Sequence, residues 1–94
     1  MILLSQDAAL DIERVRDFLN VNNPEAAKRA LRVIFAALEK LQDFPDLGRM
    51  TEDADIRQIV IRFGAAGYIA RYTVPPESGD VLVLRIWHGR EART

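Results

Sequence analysis

Apolar residues recur at helical spacing in the first half of the chain and at strand spacing in the second. Met1–Leu4 is a short apolar run that fits a strand buried on both faces. Ser5 follows as a helix N-cap, with Asp7 in the first turn to favour the helix dipole. Ala8, Ile12, Val15 and Leu19 then repeat at intervals of four, three and four, the stripe of an amphipathic helix ending near Asn20. Asp11, Glu13, Arg14, Arg16 and Asp17 fall on its other faces, which we expect to be solvated. Asn23-Pro24-Glu25 starts a second helix, with Asn23 as cap and Pro24 at the first helical position. Its stripe is Ala27, Leu31, Ile34, Leu38 and Leu41, flanked by Ala30 and Ala37. Two such helices joined by so short a turn form an antiparallel hairpin.

Pro45 ends the second helix and Gly48 permits a turn beyond it, so Phe44 and Leu47 are expected to tuck beneath the hairpin. Met50–Asp55 reads as a polar connection. Three strand-like runs follow. Ile56–Phe63 and Tyr68–Val74 alternate, and the small-residue turn Gly64-Ala65-Ala66-Gly67 joins them. Val81–Trp87, after the loop Pro75–Asp80, is apolar apart from Arg85, as a strand covered on much of both faces would be. The order is β-α-α-β-β-β. It predicts one α+β domain over residues 1–94, a helical hairpin packed on a mainly antiparallel sheet.

Composition narrows the chemistry. With 94 residues, 49% of them hydrophobic, the chain suits one core. It has no cysteine and one histidine, so thiolate sites and an ordinary zinc site are excluded. No phosphate-binding glycine loop or nucleophile elbow is present, and no cofactor or metal is expected. The start has no basic region, and its apolar stretch is too short for a signal peptide or a membrane span, so a cytoplasmic location is expected. The net charge of −1 argues against binding of nucleic acid or membrane by bulk positive charge. That charge is unevenly spread: residues 1–54 carry a net −3 and residues 55–94 a net +2, with arginine the only basic type in the second part.

The second half gathers Arg57, Arg62, Tyr68, Arg71, Tyr72, Arg85, Trp87, His88, Arg90 and Arg93. Such a set suits a metal-free ribonuclease, with arginines on phosphate and His88 as acid or base. It equally suits a protein-binding surface, where Trp, Tyr and Arg are the usual anchors. Composition leaves both open. Packing or bracing roles are the alternatives for single residues: Trp87 at a strand rim, His88 at a strand end, Arg49 and Arg57 as braces, Tyr68 and Tyr72 packed with wet hydroxyls.

Motifs in order along the whole chain carry a resemblance. They are Ala9-x-Asp11-Ile12-Glu13-x-Val15, Asn23-Pro24-Glu25-Ala26-Ala27, Leu41-x-x-Phe44-Pro45-x-Leu47-Gly48-Arg49, Arg57, Gly67-Tyr68-Ile69-Ala70-Arg71-Tyr72 and Ile86-x-His88-Gly89-Arg90. Together they resemble the RelE/ParE toxin superfamily of bacterial type II toxin–antitoxin systems. The resemblance implies the β-α-α-β-β-β fold and a choice between two mechanisms. RelE-type members are ribosome-dependent mRNA endonucleases with cations on the central strands, an arginine after the last strand and a following tyrosine. Related branches carry a histidine–tyrosine pair. ParE-type members bind DNA gyrase directly. Here Arg90 and Arg62 match RelE-type cations, but Val60 and Ile69 stand where others would be. The terminal tyrosine is absent, and Gly89 follows His88.

The resemblance therefore implies a ParE-like, non-enzymatic gyrase inhibitor, neutralised by a ParD-like antitoxin whose C-terminal segment orders on the toxin. It implies no sequence-specific nucleic-acid binding and no membrane partner. The expected target-binding residues are Trp87, His88, Arg90 and Arg93; the antitoxin-binding residues are not assigned. The alternative is a RelE-like mRNA interferase using Arg62, Arg71, His88 and Arg90. A third reading is an inactive homologue that keeps only antitoxin binding.

Overall fold

Ser5 and Asn23 start the two helices through their side chains. Ser5 Oγ accepts from the Ala8 N–H at 3.0 Å, and Asn23 Oδ1 accepts from the Ala26 N–H at 3.2 Å. Asn23 also closes the first helix, since its N–H donates to the Leu19 carbonyl at 2.8 Å. The computed structural model describes residues 1–89. It runs β1 (Ile2–Leu4), α1 (Gln6–Asn22), α2 (Pro24–Asp43), β2 (Arg49–Met50), β3 (Arg57–Phe63), β4 (Ala66–Thr73) and β5 (Val81–His88). The expected α+β arrangement is the observed one. The polar connection after α2 contains the two-residue strand β2, which the alternation does not reveal.

The sheet order is β1-β5-β4-β3-β2, antiparallel except for the parallel pair β1–β5. The hairpin covers one face. Ala8 and Val15 of α1 and Ile34, Leu38 and Leu41 of α2 pack with Ile61, Tyr68, Ala70, Tyr72, Val81, Val83 and Ile86. Those core residues of β5 are spaced by two and then by three. A bulge accounts for this: Arg71 pairs with Arg85 but Tyr72 with Val83, so Leu84 is an extra residue on β5. The run Val81–Trp87 reads as continuously apolar partly because the bulge shifts the alternation.

Three expectations are corrected. β1 is an edge strand, with Leu3 40% and Leu4 36% exposed, because β5 is its one partner among the described residues. Phe44 and Leu47 do not tuck beneath the hairpin; both are largely exposed, because the loop after α2 is held from its backbone. Asp11 is 2% exposed rather than solvated.

The loop is held by Tyr72 and Arg57. The Tyr72 hydroxyl donates to the Pro45 carbonyl at 2.6 Å and accepts from the Gly48 N–H at 2.9 Å, so it is bound by protein rather than wet. Burial pushes the Tyr72 phenol above its ordinary pKa and keeps it neutral; the Gly48 N–H and the Arg57 charge oppose this only in part. Arg57 Nη1 donates to the Gly48 carbonyl at 2.7 Å, so Arg57 is a brace as expected. A Cβ on Gly48 would lie 2.7 Å from the Tyr72 hydroxyl and 2.9 Å from the Gln58 carbonyl. Gly48→Ala should therefore lower stability by about 2 kcal/mol, read as a fall in thermal midpoint. An unchanged midpoint would mean the loop is free to move off Tyr72.

Candidate functional site

The face of the sheet away from the helices carries side chains in register across strands. Directly paired residues share a face, and successive residues alternate. Arg49 pairs with Gln58, Gln58 with Arg71 and Arg71 with Arg85, giving one polar row across β2, β3, β4 and β5, whose last member Arg85 is bound to Asp11. Two residues along, Val60 pairs with Ile69 and Ile69 with Trp87, giving an apolar row across β3, β4 and β5. Two further along, Arg62 faces Gly67. Val60 is 59% exposed, whereas Trp87 is 7% exposed. The Arg71 guanidinium carbon lies 5.6 Å from the Trp87 ring centroid and ties the two rows together.

The residues singled out for RNA chemistry do not meet on this face. His88 pairs with Tyr68, and the two rings stand edge to face with centroids 5.4 Å apart. Tyr68 belongs to the core under the helices, so His88 lies on the other side of the sheet from Arg62 and Arg71. Arg62 and Arg71 are themselves separated by the four-residue step along β3 from Gln58 to Arg62, about 13 Å at strand rise. The expected target set is divided in the same way, with Trp87 and His88 on opposite faces. Arg90 and Arg93 lie outside the described residues.

Arg71 is held in place. Its Nε donates to Gln58 Oε1 at 3.1 Å, and its Nη1 lies 3.5 Å from a Glu52 carboxylate oxygen. Arg49, expected to brace the fold, is exposed, and its side chain makes no ion pair or hydrogen bond among the described residues. The short β2 leaves it on an outer strand with no side chain opposite but Gln58.

Sequence reading missed Asp11. Beyond Val83 the outer edge of β5 has no strand partner among the described residues, because β1 ends at Leu4. Side chains from α1 and the turn before it close that edge. Ser5 Oγ donates to the Leu84 carbonyl at 2.9 Å, Asp11 Oδ2 accepts the Ile86 N–H at 2.8 Å, and Arg14 Nη2 donates to the Ile86 carbonyl at 3.3 Å. Arg85 Nε also donates to Asp11 Oδ2, at 2.8 Å. Burial by itself would raise the Asp11 carboxyl. The Arg85 and Ile86 hydrogen bonds and the charges of Arg85 and Arg14 outweigh it and hold the group below its ordinary pKa. The available signal was spacing: Ala8, Asp11 and Val15 recur at three and four, a charge on the buried stripe.

A second surface lies beside the first. Past Gln58 the outer edge of β3 has no strand partner among the described residues, since β2 pairs only with Arg57 and Gln58. A groove of about 540 Å³ follows this edge, lined by Ala37, Lys40, Leu47, Arg49, Gln58, Ile59 and Val60. Among the described residues no cluster of three or more metal-ligating side chains occurs, and no helix is long and apolar enough to cross a membrane.

Residues 2–93 match the family model described as the ParE toxin of the type II toxin–antitoxin system parDE. Toxin RelE3 of Caulobacter vibrioides is 36% identical over 90 residues, 96% of this chain and 95% of that protein. Toxin RelE1 of the same organism is 38% identical over 92 residues, 98% of this chain and 96% of that protein. Among solved structures, the chromosomal ParDE system of P. aeruginosa superposes with a TM-score of 0.74 at 23% identity, covering 93% of this chain and 92% of that one. The isolated E. coli RelE toxin superposes with a TM-score of 0.67 at 13% identity, covering 99% and 87%. At those identities the two structures establish the shared fold.

Proposed function

The chain belongs to the ParE toxin family of type II toxin–antitoxin systems, and from that premise we propose that it arrests growth by binding DNA gyrase rather than by cutting mRNA. The observation that carries the proposal is the apolar row. Val60 and Ile69 stand in register beside Trp87, in the middle of the face where a ribonuclease of this fold would need cations. A phosphodiester transition state needs fixed positive charge, and two aliphatic side chains supply none. An exposed aliphatic flanked by Trp and Arg is what a protein interface uses. The separation of Arg62, Arg71 and His88 supports the same reading.

The relatives named RelE favour the second reading, a ribosome-dependent endonuclease, for which Arg62 and Arg90 would carry the phosphate contacts. Under the first reading the target contact centres on Val60, Ile69 and Trp87, with Arg90 and Arg93 as further candidates. The partner in the operon is a ParD-like antitoxin. Its ordering segment has a place to dock in the groove beside the open β3 edge, where added main-chain hydrogen bonds would give affinity. Inducing the toxin without antitoxin tests the choice. The expected result is loss of plasmid supercoiling and a DNA-damage response, with mRNA intact at the time growth stops. Early mRNA cleavage on ribosomes with normal supercoiling would establish the second reading.

A further inference from the structure

The polar row contains a site the apolar row does not explain. Arg49, Glu52, Gln58 and Arg71 line a cleft of about 280 Å³ on the helix-free face. Arg49 and Arg71 stand two strands apart with Gln58 between them, so their backbones are about 10 Å apart and their long side chains can close on one small group. Arg71 is positioned from two sides, by Gln58 Oε1 and by the Trp87 ring. That hydrogen bond uses the Gln58 oxygen and leaves its NH2 as a third donor. Among the described residues the one acid lining the cleft is Glu52, 79% exposed at its side chain and 3.5 Å from Arg71. At 3.5 Å and with its carboxylate largely in solvent, the pair is weak and easily exchanged. Two guanidinium groups and an amide donor converge here, and a single loosely held carboxylate answers them.

We propose that this cleft is an oxyanion subsite that receives a carboxylate side chain of the toxin's protein target, with Glu52 as the internal carboxylate that it displaces. Arginine forks suit a carboxylate, and one held against Trp87 is pre-organised for it. A nucleic-acid backbone would need cations repeated along its track. Arg85, paired with Arg71 in the same row, is already bound to Asp11, and the next described arginine, Arg62, lies beyond the apolar row of Val60, Ile69 and Trp87. The identity of the bound group as a target side chain rests on the protein-target reading above; the subsite itself does not.

Arg49 and Glu52 are both exposed, so their variants leave the core intact. The first readout is independent of gyrase. A blocked Asp-Glu-Asp-Glu peptide is titrated into the purified toxin while the Arg49 and Arg71 Nε–Hε resonances are followed, with tetrauridylate as the phosphate probe. The peptide should shift both resonances, with several-fold tighter binding in Glu52→Ala and none measurable in Arg49→Glu. No response to the peptide, or tighter binding of tetrauridylate at the same salt, would overturn the proposal. The second readout is inhibition of purified gyrase. Arg49→Glu should weaken it about tenfold and Glu52→Ala should strengthen it, with antitoxin capture unchanged in Glu52→Ala. Inhibition unaffected by Arg49→Glu, or weakened by Glu52→Ala, would remove the target side chain as occupant. A wild-type toxin that binds the peptide here yet leaves gyrase active would instead defeat the gyrase reading and keep the carboxylate subsite.

Discussion

Asp11→Ala should cost about 3 kcal/mol of folding stability and lower the thermal midpoint by roughly 15 °C. The carboxylate is 3% exposed at its side chain and accepts from Arg85, Arg14 and the Ile86 N–H. Removing it leaves a buried backbone donor unsatisfied at the edge of β5. The two arginines are about half exposed and return to water, so the loss stays below that of a fully buried pair. Asp17→Ala is the control. That side chain is 72% exposed on the same helix, and the change should stay within about 0.5 kcal/mol.

Acid makes the same point. The folded Asp11 carboxyl titrates below its ordinary value, so its contribution is complete above the unfolded-state value of about 4 and is lost as pH falls through the folded one. Asp11→Asn should flatten the acid limb of a stability–pH curve. An unchanged limb would mean other carboxylates govern acid unfolding.

Val60→Glu should weaken target inhibition at least thirtyfold, about 2 kcal/mol, while leaving the fold intact. Val60 is 59% exposed, so little core packing is lost. A carboxylate there would sit beside Ile69, in the middle of the row that ends at Trp87. Burying it against a partner without a cation is costly. Trp87→Ala is a poorer probe, because the ring is 7% exposed and its loss would disturb packing as well as binding. Full toxicity of a soluble, folded Val60→Glu protein would move the target contact off this face.

The helices were legible because each device that starts or stops them is local. Ser5, Asn23 and Pro24 act within one turn, and the stripes of α1 and α2 repeat without interruption. Tyr68, Ala70 and Tyr72 were legible as one buried face by simple alternation. What stayed hidden depends on distant partners. The bulge at Leu84 shifts parity within a run whose residues are nearly all apolar, so nothing local marks it. Asp11 is buried because the pairing of β1 stops at Val83, short of Ile86, a fact of register between residues 75 positions apart. Phe44 and Leu47 looked like core from hydropathy, but Tyr72 and Arg57 hold that loop by its backbone and leave the side chains outside.

The site was legible in its residue types and not in its grouping. Arg71 and Trp87 were both singled out, yet their contact, and the alignment of Val60 with Ile69 and Trp87, come from strand register. Register likewise places His88 with Tyr68 under the helices, away from the arginines it was grouped with. Arg49 was read as a brace because the sequence could not show that β2 is two residues long.

The most direct test of the central claim uses purified toxin in two parallel reactions, gyrase supercoiling of relaxed plasmid and cleavage of mRNA on programmed ribosomes. The toxin should inhibit supercoiling in proportion to its concentration, antitoxin should reverse the effect, and the mRNA should remain intact. Cleaved mRNA beside fully active gyrase would contradict the account.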